Sequence, residues 1–152
     1  MPSGVFIFPD KAKLNFNSAT NLANPANTFK ITLHTSVWTP ANSTDEVYAD
    51  LTNELATGFG YTNGGLALTG VALTQTAGVV KFTCTAPVWT AAGGSIPAWR
   101  RGVVRAVGTL NGKVDPVVGH FLGDSTPADV PATPTGQTLT VTPNASGIMS
   151  AT

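Results

Sequence analysis

The stretch TFKITLHTSVW, residues 28–38, alternates apolar and polar side chains, and that period of two constrains the fold more than any other feature. Along an extended strand successive side chains point to opposite faces. Phe29, Ile31 and Leu33 therefore share one side, and Lys30, Thr32 and His34 the other. A strand with one buried face follows. The same alternation returns in GVVKFTC (78–84) and in QTLTVTP (137–143), where Leu139 and Val141 point inward together. RRGVVRAVGTL (100–110) and PVVGHFLG (116–123) flank NGKVD, which predicts a hairpin closed by an Asn-Gly turn. In LALTGVALT, Leu66 and Leu68 have one parity while Val71 and Leu73 have the other, the shift that a bulge at Gly70 would produce. The short gap from Leu73 to residue 78 predicts a second hairpin.

PANSTDEVYADLTNEL breaks the alternation. Ser43 followed by Glu46 reads as a capping box, Asp45 suits a helix N-terminus, and Val47, Leu51 and Leu55 recur at helical spacing. A short helix over 45–55 is expected. GFGYTNGG (58–65) then poses a choice between a phosphate cradle and a turn. A phosphate loop follows a strand, opens a helix and carries a basic residue. Here the expected helix comes first, a strand follows, and the chain has no Lys or Arg between Lys30 and Lys81. The turn is the better reading. Gly58 and Gly60 suit a helix stop, and Asn63, Gly64 and Gly65 suit a turn with positive φ.

Composition agrees with an all-β chain. Charged residues are 11% of the total, while 23 of the 152 residues are threonine, a β-branched type suited to half-exposed pleats. The fold class expected is a β-sandwich or partly open barrel of about 6–8 strands with one short helix. Residues 1–27 are read as an N-terminal arm or edge segment, and 28–152 as a single β domain. Segment 124–136, with three prolines among its residues, is read as an exposed loop.

Eight basic and eight acidic residues balance, leaving no field for nucleic acid or an anionic membrane. No run approaches the roughly 18 apolar residues of a membrane span. GVFIF is short for a signal-peptide core and runs into Asp10, Lys11 and Lys13, so synthesis and folding in a host cytoplasm are expected. Cys84, the single cysteine, alternates with Val80 and Phe82 and reads as a buried small hydrophobe.

Side chains with chemistry are few. His34 and His120 lie in different strands, neither with a second ligand at metal spacing. Asp45, Glu46, Asp50 and Glu54 read as caps and a solvated helix face, and no G-x-S-x-G elbow is present. No enzyme, cofactor or metal is expected. The candidate interface is Trp99, Arg100, Arg101 and Arg105, a Trp–Arg cluster of the kind that anchors protein contacts.

The features run in order as strand, DEVYADLTNEL, GFGYTNGG, paired strands, a segment containing Trp89, RRGVVRA, GHFLGD, a loop and TLTVTPNASGIM. In that order the chain resembles a family of small virion proteins of tailed bacteriophages, encoded near the head genes. The resemblance spans roughly residues 28–150 and rests on Gly60-Tyr61-Thr62, Gly64-Gly65, the Trp89 segment and Gly147-Ile148. It implies a structural protein of the virion, a head decoration or cement protein on the capsid surface. The implied partners are the major capsid protein and further copies of this chain, as a trimer first and a dimer second. The family's last strand ends with a more aromatic pattern than TVTPNASGIM carries. A tail or adsorption component binding carbohydrate is the alternative, with exposed Trp38, Trp89 or Trp99 as stacking platforms.

Overall fold

The computed structural model describes residues 28–76, 79–124, 126, 128–144 and 148–151. The segment read as an arm, 1–27, lies outside them.

The fold is all-β and built from antiparallel ladders. β1 (Phe29–His34) pairs on one side with β2 (Leu66–Ala67) and on the other, over its whole length, with β6 (Arg101–Ala106). β9 (Val117–Leu122) completes a four-stranded sheet in the order β2-β1-β6-β9. β4 (Val79–Thr83) lies between β3 (Ala72–Thr76) and β11 (Met149–Ala151) in a second sheet. β5 (Val88–Thr90) pairs with β10 (Thr138–Thr140). β7 (Thr109–Leu110) and β8 (Lys113–Val114) form the tip of the hairpin that joins β6 to β9. Its turn is Asn111-Gly112, with φ 52° and 73°, the paired positive angles that match the twist of a two-residue hairpin.

The main core fills the space between these sheets. Phe29, Ile31, Leu33, Val104, Val118 and Phe121 from the four-stranded sheet meet Phe82, Trp89, Leu139 and Val141 from the others. Phe29 meets Phe82 edge to face, with ring centroids 5.2 Å apart, a favoured aromatic geometry. This is the sandwich-like arrangement that alternation predicts, and Phe29, Ile31 and Leu33 do share the core face.

Three expectations are corrected. β1 has two buried faces, because Thr32 and His34 are as buried as Leu33. No α-helix forms over 45–55; the segment holds only a 3₁₀ turn at Tyr48–Asp50. The Asp50 carboxylate accepts from the backbone N–H groups of Glu46 and Val47, a local alternative to helical bonding. Asn53 then takes φ 55°, which ends any helical path, and Glu54 forms a bridge with His34. The residues of the expected stripe scatter: Leu55 enters the main core, Leu51 a second cluster, and Val47 pairs with Pro116.

Gly70 does not bulge a single strand. It lies where the chain leaves β2 in one sheet for β3 in another, so the parity change marks a crossover. The bulge in the four-stranded sheet falls instead between Val104 and Arg105, opposite β9. Segment 124–136 is an exposed loop as expected, with none of its described residues buried, and two bridges hold it, Val130 to Trp99 and Thr133 to Ile96.

Candidate functional site

Residues 36–52 cover the second face of the four-stranded sheet, and 53–55 run on along the edge of β1. Strand register places Thr32, His34, Val103, Arg105, Val117 and His120 on that face. Trp38 packs with Val103 and Val117 to form a small apolar cluster, with Leu51 against it. Around this cluster the cover brings polar groups that bond to several of those of the sheet.

One constellation centres on Glu54. Its Oε1 accepts from the Tyr61 hydroxyl at 2.6 Å and from the Gly64 N–H at 2.8 Å, and its Oε2 accepts from the Tyr48 hydroxyl. The Tyr61 hydroxyl also receives the Leu33 N–H at 3.0 Å. This bond completes the edge of β1. β2 pairs with its first half and residues 53–55 with its last, through Leu55 N–H to Leu33 O and Thr35 N–H to Asn53 O. The phenol fills the gap between those two ladders. Burial, then the bond to Glu54, raises the Tyr61 hydroxyl well above its ordinary pKa. Burial and Glu54 likewise push Tyr48 up to about 12. Both remain donors to Glu54 at neutral pH.

Arg105 links this constellation to the hairpin. Its guanidinium lies 4.1 Å from the Tyr48 ring centroid, a cation–π contact, and donates to Gly64 O at 3.0 Å. It also forms a 2.9 Å ion pair with Asp115, which in turn accepts from the Gly108 N–H. Lys113 reaches Glu46 at 3.1 Å.

The glycine stretch positions Tyr61. Gly58 and Tyr61 exchange both backbone hydrogen bonds around Phe59 and Gly60, forming a tight turn. Asn63 holds the next turn through its N–H to Thr57 Oγ1 and its amide to Leu55 O. Gly64 and Gly65 have φ 92° and 80°. A side chain on Gly65 would come within 2.2 Å of Ile31 O, whereas one on Gly64 would meet open space. The stretch is a turn as expected, but it follows extended backbone and serves to bury a tyrosine.

The second constellation joins the two histidines. Trp38 stands between them, its ring 4.8 Å from His34 and 5.7 Å from His120. His34 Nδ1 lies 2.8 Å from Thr52 O, which can only accept, so Nδ1 carries the proton and Nε2 accepts from the Thr32 hydroxyl at 2.9 Å. Burial lowers its pKa, so the ring is neutral at pH 7. A hydroxyl bonded to an imidazole is also how a nucleophile and its base would be arranged. Thr32 and His34 are both 0% exposed, however, and the far nitrogen is held by a carbonyl, so the pair faces inward. His120 is 2% exposed and contacts Asn42 Oδ1 through Nε2. Burial, then the nearby Arg101 charge, lowers it to about 4.

The expected interface divides. Trp99 is 2% exposed, stacks edge to face on Phe121 and seats against Gly123, so it is a core residue. Arg105 is buried in the network above. Both are corrected as surface anchors. Arg100 and Arg101 remain partly exposed, Arg100 pairing with Asp129 at 2.7 Å, while burial and Arg100 lower the pKa of Arg101. Trp38 and Trp89 are buried as well. Cys84 packs beside the main core, where burial raises its thiol to about 11.

Tyr48, Tyr61 and Asp115 are polar anchors that strand and helix periodicity do not single out. The signal available for Tyr61 is its place between glycines, since a large aromatic there needs somewhere to go. No family model, curated protein or solved structure matches the chain.

Proposed function

We propose that this is a structural protein of a bacteriophage virion, a decoration or cement protein that stabilises the head shell through protein–protein contacts. The observation that carries the reading is where the apolar surface lies. Val37, Phe59, Val107 and Val114 are exposed in turns or at the hairpin tip, and Val88 on the outer face of a two-stranded ladder. Val37 and Val114 are 73% and 63% exposed, and Phe59 takes a positive φ that bulky residues rarely adopt. With only 11% charged residues and no net charge, the surface is depleted as the centres of protein interfaces are. The order of motifs shared with small virion proteins supports the same reading. The tail-associated, carbohydrate-binding alternative loses its natural platforms, because all three tryptophan rings are buried.

In this reading the partners are the major capsid protein and other copies of the chain, meeting at local symmetry positions as a trimer, with a dimer as the alternative. The test is quantitative mass spectrometry of purified particles from the phage that encodes the chain. Hundreds of copies per particle support the shell, a dozen or fewer the tail, and none overturns a virion role. Deleting residues 2–20 then asks whether that segment carries the contact. Loss from particles with an unchanged domain is expected, and normal occupancy would remove it from the mechanism.

A further inference from the structure

We propose that residues 36–52 form an acid-sensitive cover, released from the second face of the four-stranded sheet when His120 takes up a proton. The geometry around His120 has no place for that proton. Its Nε2 faces Asn42 Oδ1 at 3.2 Å and donates to it, which leaves Nδ1 as the basic nitrogen. Nδ1 is buried and has no hydrogen-bond partner among the described residues. A proton there creates a buried donor without an acceptor and a second positive charge near Arg101 on β6. His120 also meets Trp38, the main apolar anchor of the cover, in an edge-to-face pair.

His34, on β1, behaves differently. If its Nε2 is protonated, the Thr32 hydroxyl need only turn from donor to acceptor, and Glu54 at the edge of β1 and Asp45 on the cover favour the charge. Arg101 is the charged neighbour that acts on His120, and Asn42 and Trp38 are the cover residues that touch it. His120 is therefore the trigger.

In the closed state His120 has its pKa lowered from 6.5 to about 4, so the closed form binds the proton less tightly than the open form. The stability this lends the cover is complete above pH 6.5 and is lost as pH falls from there toward 4. From pH 7.5 to pH 5 the opening equilibrium is expected to rise about 30-fold. Most carboxylates keep their charge across much of that window.

The experiment is hydrogen exchange of the full chain at pH 7.5, 6 and 5, corrected for the intrinsic pH dependence of exchange. Protection across 36–52 is expected to fall about 30-fold, with β6 almost unchanged, and His120→Gln to remove most of the pH dependence. A pH-independent cover, or the same fall in His120→Gln, would overturn the proposal. Should that variant not fold, NMR titration of the wild-type imidazoles decides. His120 neutral down to about pH 5 supports the trigger, and His120 titrating near pH 6.5 in the closed state overturns it.

Discussion

The two faces of the four-stranded sheet are held by different physics. On the core face Phe29, Ile31, Leu33, Val104 and Phe121 interlock with side chains from the other sheets, and the contacts are almost wholly apolar. On the second face three buried apolar side chains, Trp38, Val103 and Val117, sit among Thr32, His34, Arg105 and His120, each of which makes polar contacts. Burial of apolar area is non-directional and tolerates small shifts, whereas hydrogen bonds and ion pairs fix one geometry and penalise an unmet partner. The difference teaches that β1 is anchored by its odd-numbered side chains and specified in detail by its even-numbered ones.

The largest effect should come from the core face. Leu33→Ala removes a fully buried side chain and should cost about 3–4 kcal/mol in urea unfolding. Glu54→Gln addresses the polar side. It keeps the shape but weakens an acceptor shared by two tyrosine hydroxyls and the Gly64 N–H, with an expected cost of about 2–3 kcal/mol. A cost below about 0.5 kcal/mol would show that the network decorates the second face without fixing it.

Next come the paired glycines. Gly65→Ala combines left-handed strain with a collision against Ile31 O and should destabilise by about 2 kcal/mol, while Gly64→Ala meets only the strain, about 1 kcal/mol. Equal costs would mean that close approach to β1 is unimportant. The smallest effect is expected outside both faces. Asp129→Ala breaks a solvent-exposed pair with Arg100 and should change stability by less than about 0.5 kcal/mol.

Alternation made the core face legible because it reports a local property, the side to which each residue of a strand points. It placed Phe29, Ile31, Leu33, Leu139 and Val141 inward, and the Asn111-Gly112 turn was legible because few dipeptides accept two positive φ angles. The second face was hidden for a physical reason. Thr32 and His34 look solvent-facing by type, and only the return of residues 36–52 over the sheet buries them. Segment 45–55 looked helical because Val47, Leu51 and Leu55 happen to be spaced by four. Asp50 bonding to nearby backbone, Asn53 at positive φ and Glu54 pairing with β1 together outweigh a weak helical preference. Trp99 and Arg105 were misplaced for a related reason. Strand position alone does not tell a Trp on the surface from one under a distant loop, and Val130 and Asp115 are the residues that decide.

The central claim is that residues 36–52 are a separately held layer on a more stable sheet. Native-state hydrogen exchange at pH 7.5 across a series of sub-denaturing urea concentrations tests it most directly. The account predicts that protected amides of 36–52, among them Asp45, Asp50 and Leu51, exchange through an opening of lower free energy and smaller urea dependence than those of β1 and β6. A single isotherm shared by the cover and both strands would contradict it.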